Sequence, residues 1–399
     1  MSKKSFFTGI SRNIILLGFV SLFTDLSSQM VFPLVPLYLT GVLGASAYVV
    51  GIVEGAAETT ASLLKVVSGY WSDKIRRRKP FVLFGYTFSA LSKPLMAFAT
   101  FWPFVLGVRV LDRIGKGLRD APRDAIVADD VDQSIRGKAY GFQRSLDGLG
   151  SILGAVLAVI LLPILGYTKI FLFAFLPGIL AIVTIFFIKE KRREAVTSTV
   201  NTDGSQTSEK KIPRVSLKML PNNLKLFIFV SAIFALGNFG YAFMMLKAKA
   251  LGISDHYTIL LYVLYFGVYT LFTIPAGILS DKFGRKPLLI IGYIFFILTS
   301  IGLIFVNNFI WLMVLFGLYG VFFAMTDGNQ RAFIIDMCPK DLKATALGTF
   351  QTAIGVTALP GGFIAGILWD KMGSSATFIY GGVLTAIAIG LLLLVKKQK

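Results

Sequence analysis

The sequence predicts an all-α membrane protein, with twelve transmembrane helices in two pseudo-symmetric six-helix halves around a central cavity. Three observations carry this. Of 399 residues, 55% are hydrophobic and 15% charged, 36 are Phe, and the mean hydropathy is +0.73, more apolar surface than a water-soluble domain carries. The apolar residues fall into twelve runs, each near the ~20 residues a helix needs to cross a bilayer. The last six runs repeat landmarks of the first six.

Breaks at charges, Pro and Gly place the runs at 14–38, 48–70, 80–101, 103–128, 139–165, 168–188, 223–247, 258–280, 287–306, 309–335, 344–369 and 374–395. The first run follows Lys3, Lys4 and Arg12 with no small-residue cleavage site, so it reads as a retained helix and not as a signal peptide. The halves are 1–188 and 223–399. Between them lies a linker, 189–222, whose stretch Thr197–Lys211 is rich in Ser, Thr, Asn and Gln and cannot bury a core.

Basic residues fix the orientation, because loops that stay in the cytoplasm retain Lys and Arg during insertion. Lys74 and Arg76–Lys79 follow the second run; Lys189 and Lys191–Arg193 the sixth; Lys282, Arg285 and Lys286 the eighth; Lys396, Lys397 and Lys399 end the chain. All fall on one side, whereas Thr40–Tyr48, Phe101–Pro103 and Asn307–Asn308 hold none, with Lys169, Lys247, Lys249 and Lys371 as the exceptions. The expectation is a multi-pass protein of the cell membrane with both termini cytoplasmic. The net charge of +19 is spread between apolar runs, which suits lipid headgroups and not nucleic acid. A single Cys338 and a single His256 exclude a disulfide framework and a Cys/His metal cluster, so no cofactor is expected.

The repeat is read from particular residues. Gly69-Tyr-Trp-Ser-Asp73-Lys74 recurs as Gly277-Ile-Leu-Ser-Asp281-Lys282 (281 − 73 = 208), and Lys79-Pro80 recurs as Lys286-Pro287 (286 − 79 = 207). The stretch from Asp120 to Asp129 aligns with that from Asp327 to Asp336 at the same offset of 207.

The loops after the second and eighth runs resemble the Gly-x-x-x-Asp-(Arg/Lys)-x-Gly-Arg-(Arg/Lys) signature of the major facilitator superfamily. The second copy, Gly277 to Lys286, fits in full; the first departs with Ile75-Arg76-Arg77-Arg78 where the family has a Gly-Arg pair. The resemblance implies that Gly69, Asp73, Arg77, Gly277, Asp281, Arg285 and Lys286 form gating loops that hold and release one side during alternating access.

The fourth run is the most unusual. Arg109, Arg113, Lys116, Asp120 and Arg123 share one helical face, and such a face cannot point at lipid. Arg109 with Gly115 and Gly117 is similar to the family's fourth-helix Arg motif, although Arg113 stands where that motif expects Gly. The run Arg113-x-Gly-Lys-Gly-x-Arg-x-Ala-Pro-Arg-Asp124 resembles a prokaryotic subgroup of these transporters. It is no phosphate-binding loop, lacking the spacing and the preceding strand. On the fifth run, only Gly150-x-x-x-Gly154 survives of the family's antiporter pattern, with Ala155 in the place of its Pro.

Further charges lie inside the first-half runs: Asp25, Glu54, Glu58, Lys65, Lys93, Arg144 and Asp147. Acids and bases nearly balance, which points to internal ion pairs lining a polar cavity. A mid-membrane carboxylate needs a cation or a proton, so Asp25, Glu58 and Glu54 are the proton-coupling candidates. Arg109, Arg113, Lys116 and Lys93 are the substrate-cavity candidates, with Arg113 and Lys116 as partners for the carboxylates. The resulting expectation is a monomeric secondary active transporter of a small organic solute, coupled to H+ and running as drug or metabolite efflux. An uptake or exchange carrier for an organic anion, using the same basic residues, is the alternative. A membrane-embedded enzyme lacks a catalytic constellation, and a channel would show a filter or symmetric subunits.

Overall fold

The computed structural model describes residues 11–75, 77–131, 136–190, 220–339 and 342–396. Most of the expected linker, residues 191–219, and both chain ends lie outside them. The described residues form helices and no strands. In chain order these are α1 Arg12–Gln29, α2 Leu34–Leu37, α3 Ala47–Ile75, α4 Lys79–Met96, α5 Trp102–Asp130, α6 Arg136–Phe173, α7 Phe175–Phe186, α8 Asn222–Gly237, α9 Gly240–Ala250, α10 Asp255–Phe283, α11 Arg285–Phe305, α12 Phe309–Asp336, α13 Lys343–Met372 and α14 Ser374–Leu394. A π-helical turn, Tyr38–Val42, extends α2.

Among the described residues, eight stretches are long and apolar enough to cross a membrane: Arg12–Val42, Lys138–Phe186, Asn222–Ala250, Asp255–Phe283, Arg285–Phe305, Phe309–Asp336, Thr345–Met372 and Ser374–Leu394. In α3 and α5, 29 residues each, length is ample and charge lowers the hydropathy. Breaks inside the long stretches have local causes. Gly166 sits at φ 69, a conformation only glycine adopts without penalty, and it turns the chain inside α6. Pro33 separates α1 from α2, and Gly240 at φ 69 follows the break between α8 and α9. Two starts are capped by side chains: Ser11 accepts from the Ile14 N–H at 3.3 Å and Asn308 from the Trp311 N–H at 3.0 Å.

With little hydrophobic drive between helices in lipid, close packing by small residues takes over. It is tightest between α3 and α13. A Cβ on Gly51 would stand 1.9 Å from the Gly362 carbonyl oxygen, and one on Gly366 2.2 Å from the Tyr48 Cα, so these backbones touch. The close approaches run from Tyr48–Gly366 through Gly55–Ala358 to Ser62–Gly355, while α3 continues to Ile75. At the Tyr48 end the Asp370 carboxylate accepts from the N–H groups of Ala47 and Tyr48. On the other flank, α6 meets α10: Tyr167 donates to Asp255, and His256 Nδ1 lies 3.1 Å from the Val159 carbonyl oxygen. The helices before residue 190 therefore join those after 220 along two seams, both drawn together at the end where α3 begins.

Candidate functional site

Three- and four-residue spacing on α5 stacks Arg109, Asp112, Arg113, Lys116, Arg119, Asp120 and Arg123 along one side. Arg109 is 2% exposed, and Asp112, Arg113 and Arg119 are buried with it. The Arg109 Nη2 donates to both carboxylate oxygens of Glu54 on α3, at 2.9 and 2.7 Å. Lys93 of α4, also 2% exposed, donates to Asp112 Oδ1 at 2.5 Å. Ser89 adds a hydrogen bond to the same oxygen at 2.9 Å, and Arg113 Nε lies 3.4 Å from Asp112 Oδ2. The Phe32 ring is shared by three cations, with Lys93, Arg109 and Arg113 at 5.3, 4.5 and 4.3 Å from its centroid. Paired charges and an aromatic face together replace the water these groups lose.

The three candidate carboxylates differ in partner. Glu54 is held by Arg109. Glu58, one turn further on α3, is exposed and takes only a 3.5 Å hydrogen bond from Ser62 on its own helix. Asp25 on α1 takes one from Ser151 of α6 at 3.5 Å. Among the described residues no cation stands within 4.0 Å of Glu58 or Asp25. Arg113 was expected beside them, but its own neighbour Asp112 engages it. Lys116 acts on both carboxylates at longer range, and Asp25 also lies in the field of Arg119 and Arg123.

Glu54 and Glu58 border a cavity of about 390 Å³. Lys93, Arg109, Arg113 and Lys116 are absent from its wall; the first three stand behind Glu54 in the ion-paired layer. Apart from Gly51 and Gly55 of α3, the remainder of the wall comes from α8, α9, α10, α12, α13 and the α8–α9 junction: Asn238, Tyr241, Tyr265, Tyr319, Phe323, Gln330 and Gln351 among others. Charge alone could not reveal these residues. The usable signal was the aromatic stripe of Tyr262, Tyr265, Phe266 and Tyr269 on α10 facing Tyr319, Phe322 and Phe323 on α12, at helical spacing and in ring contact. The cavity's other acid, Asp327, is compensated: Arg331 lies 2.9 Å away and Arg144 of α6 is close by.

In the loop regions Asp73 and Asp281 are 64% and 66% exposed at their side chains. Arg78, not Arg77, carries the first loop. Arg78 pairs with Asp73 at 3.0 Å, with Asp129, and with the Ala125 carbonyl at 2.7 Å, while Arg77 is exposed. Arg285 does the same in the second loop with Asp281 at 2.5 Å and Asp336 at 3.3 Å. Lys79 donates to the carbonyls of Phe186 and Ile188, and Lys286 to those of Leu393 and Val395, again 207 residues on (286 − 79 = 207). Among the described residues Gly69 approaches Ala121, and Gly277 has open space around its Cα.

Long apolar helices packed around a charged, ion-paired interior define a multi-pass helical membrane protein. The chain belongs to the Major Facilitator Superfamily, whose sequence profile matches residues 17–247 and 226–399. Members of this family carry small molecules across membranes. An MFS-type transporter of Methanocaldococcus jannaschii is 42% identical over 393 residues, covering 96% of this chain and 95% of that one. The multi-drug resistance efflux pump PmrA of Streptococcus pneumoniae is 38% identical over 112 residues, 28% of each chain. Among solved structures, a variant of the nucleoside transporter NupG superposes with a TM-score of 0.78 at 14% identity, covering 96% of this chain and 99% of that one, a likeness of fold alone.

Proposed function

We propose that this chain is a proton-coupled exporter of a small organic solute, acting as a monomer in the cell membrane with both termini cytoplasmic. Twelve crossings in two six-helix halves, 1–188 and 223–399, joined by 189–222, account for its organisation. Lys138–Phe186 spans 49 residues and turns at Gly166, which suits two crossings, and α3, α4 and α5 cross with their charges facing inward. The recurrence of the Lys79 contacts at Lys286 supports the repeat. With this orientation the α3–α13 seam closes the outer side, and the cavity faces the cytoplasm, ready to load.

The single observation that carries the reading is the exposed Glu58, without a cation within 4.0 Å, bordering the cavity, with Asp25 on α1 likewise free of an ion pair among the described residues. A carboxylate without a fixed cation can exchange its proton as the halves rock. Asp25 is the central coupling residue; Glu58 and Glu54 are the further candidates. Arg109 positions Glu54, Lys93 and Arg113 complete the ion-paired layer around Asp112, and Lys116 stands apart from that layer as the remaining substrate-site candidate. Efflux is favoured by the local likeness to PmrA. The test is purified protein in liposomes, screened with aromatic cations, anions and neutral solutes under an imposed pH gradient. Accumulation that vanishes when the gradient is collapsed supports the reading; accumulation indifferent to the gradient refutes it.

A further inference from the structure

The cavity's wall has a sign. Glu54 is neutralised by Arg109, and Asp327 by Arg331. That leaves Glu58 as the acid in the wall without an ion-pair partner among the described residues, with Lys116 beyond 4.0 Å. Opposite it, the wall is aromatic. Tyr241, Tyr265 and Tyr319 border the space, and Tyr265 meets Tyr319 in a tilted contact, at 5.2 Å between centroids, and Phe323 edge-to-face, at 6.1 Å. Among the described residues the hydroxyls of Tyr241 and Tyr265 have no hydrogen-bond partner, and that of Tyr319 has only a 3.4 Å approach to Asn238. Gln351 and Gln330 add amide groups.

A carboxylate facing clustered ring faces is complementary to one kind of ligand. Aromatic rings attract cations through their quadrupole, and a carboxylate without an ion-pair partner attracts them by charge; neither offers an anion anything. We propose that the cavity takes a monovalent organic cation with a flat or bulky aromatic body, Glu58 serving as its counter-ion and the Tyr241, Tyr265 and Tyr319 rings enclosing the apolar part. This deepens the exporter reading by naming its substrate class, and rests on that reading for transport; binding is independent of coupling and direction. The Phe32 layer keeps Lys93, Arg109 and Arg113 out of the wall, and Arg331, which borders the cavity, is engaged by Asp327, which is why a chain of net charge +19 can recognise a cation.

The experiment compares two probes of one shape and opposite charge, tetraphenylphosphonium and tetraphenylborate, by equilibrium dialysis against the full-length protein in neutral micelles, corrected with protein-free micelles. The phosphonium binds the wild type at least about ten-fold more tightly than the borate, Glu58→Gln removes that preference, and Glu58→Asp retains most of it. Equal or reversed preference in the wild type overturns the proposal without reference to any variant. A preference that persists in a folded Glu58→Gln protein, with its thermal transition intact, overturns the assignment of Glu58. Neither outcome touches proton-coupled export, which fails only in the gradient experiment.

Discussion

Asp370, near the end of α13, accepts a hydrogen bond from the Tyr48 N–H at 2.9 Å and another from Ala47 at 3.0 Å, so a carboxylate of one helix caps the first turn of another, 322 residues earlier in the chain. The free N–H groups and the positive end of α3 find in Asp370 the partner that a local N-cap would otherwise supply. Alternating access requires this cap to break whenever that end opens.

Asp370→Ala therefore shifts the population toward the state open at the Tyr48 end. Two charge-assisted hydrogen bonds are worth about 1.5–3 kcal/mol each, so a shift of roughly a hundred-fold or more is expected. Pulsed spin–spin distances between labels flanking Tyr48 and Asp370 read it; an unchanged distance distribution would refute a gating role.

Gly51 and Gly362 are the points of closest approach in the same seam. Gly51→Val or Gly362→Val drives a side chain into the facing backbone and costs about 1–3 kcal/mol or more, since backbone cannot yield as a side chain does. Gly267→Ala, with nothing within 4 Å of its Cβ position, is the matched control. Thermal unfolding in micelles compares them, and equal transition temperatures would contradict the packing described.

Breaking the buried pair of Arg109 and Glu54 strands a charge. Arg109→Gln alone is expected to destabilise by about 3–5 kcal/mol, and the double variant with Glu54→Gln by less than the sum. Strict additivity in unfolding measurements would mean that the two residues do not interact.

In the loop regions, Asp73→Asn and Asp281→Asn slow transport and leave substrate binding intact, and Arg78→Ala and Arg285→Ala do the same, whereas Arg77→Ala is mild. Transport rate against binding constant separates these. Loss of binding in every variant would place the loops in the site itself and not in the conformational step.

Much of this was written in the sequence because charge inside an apolar run is rare. The stripe from Arg109 to Arg123 could only face inward, and Asp25, Glu54 and Glu58 announced themselves by the same rule. Pairing was harder to read. Arg113 is one residue from Asp112, an adjacency that helical spacing arguments set aside, and the Arg78 side chain reaches Asp73 and Asp129 while Arg77 is exposed. The cavity wall escaped for a different reason: Tyr265 and Tyr319 are apolar enough to pass as core, and only the packing of α10 on α12 shows which rings meet a void. The Asp370 cap joins residues too distant in sequence for any local pattern to connect.

The most direct test of the central claim is transport by Asp25→Asn in liposomes. In vesicles that expose the termini, so that the α3 start faces an acid lumen, and with the tested solute supplied outside, the wild type accumulates solute against its gradient. Asp25→Asn is expected to lose that accumulation and keep solute exchange at equal pH, because the solute site is intact and only the proton is lost. Accumulation by Asp25→Asn at the wild-type level would contradict proton coupling through this residue.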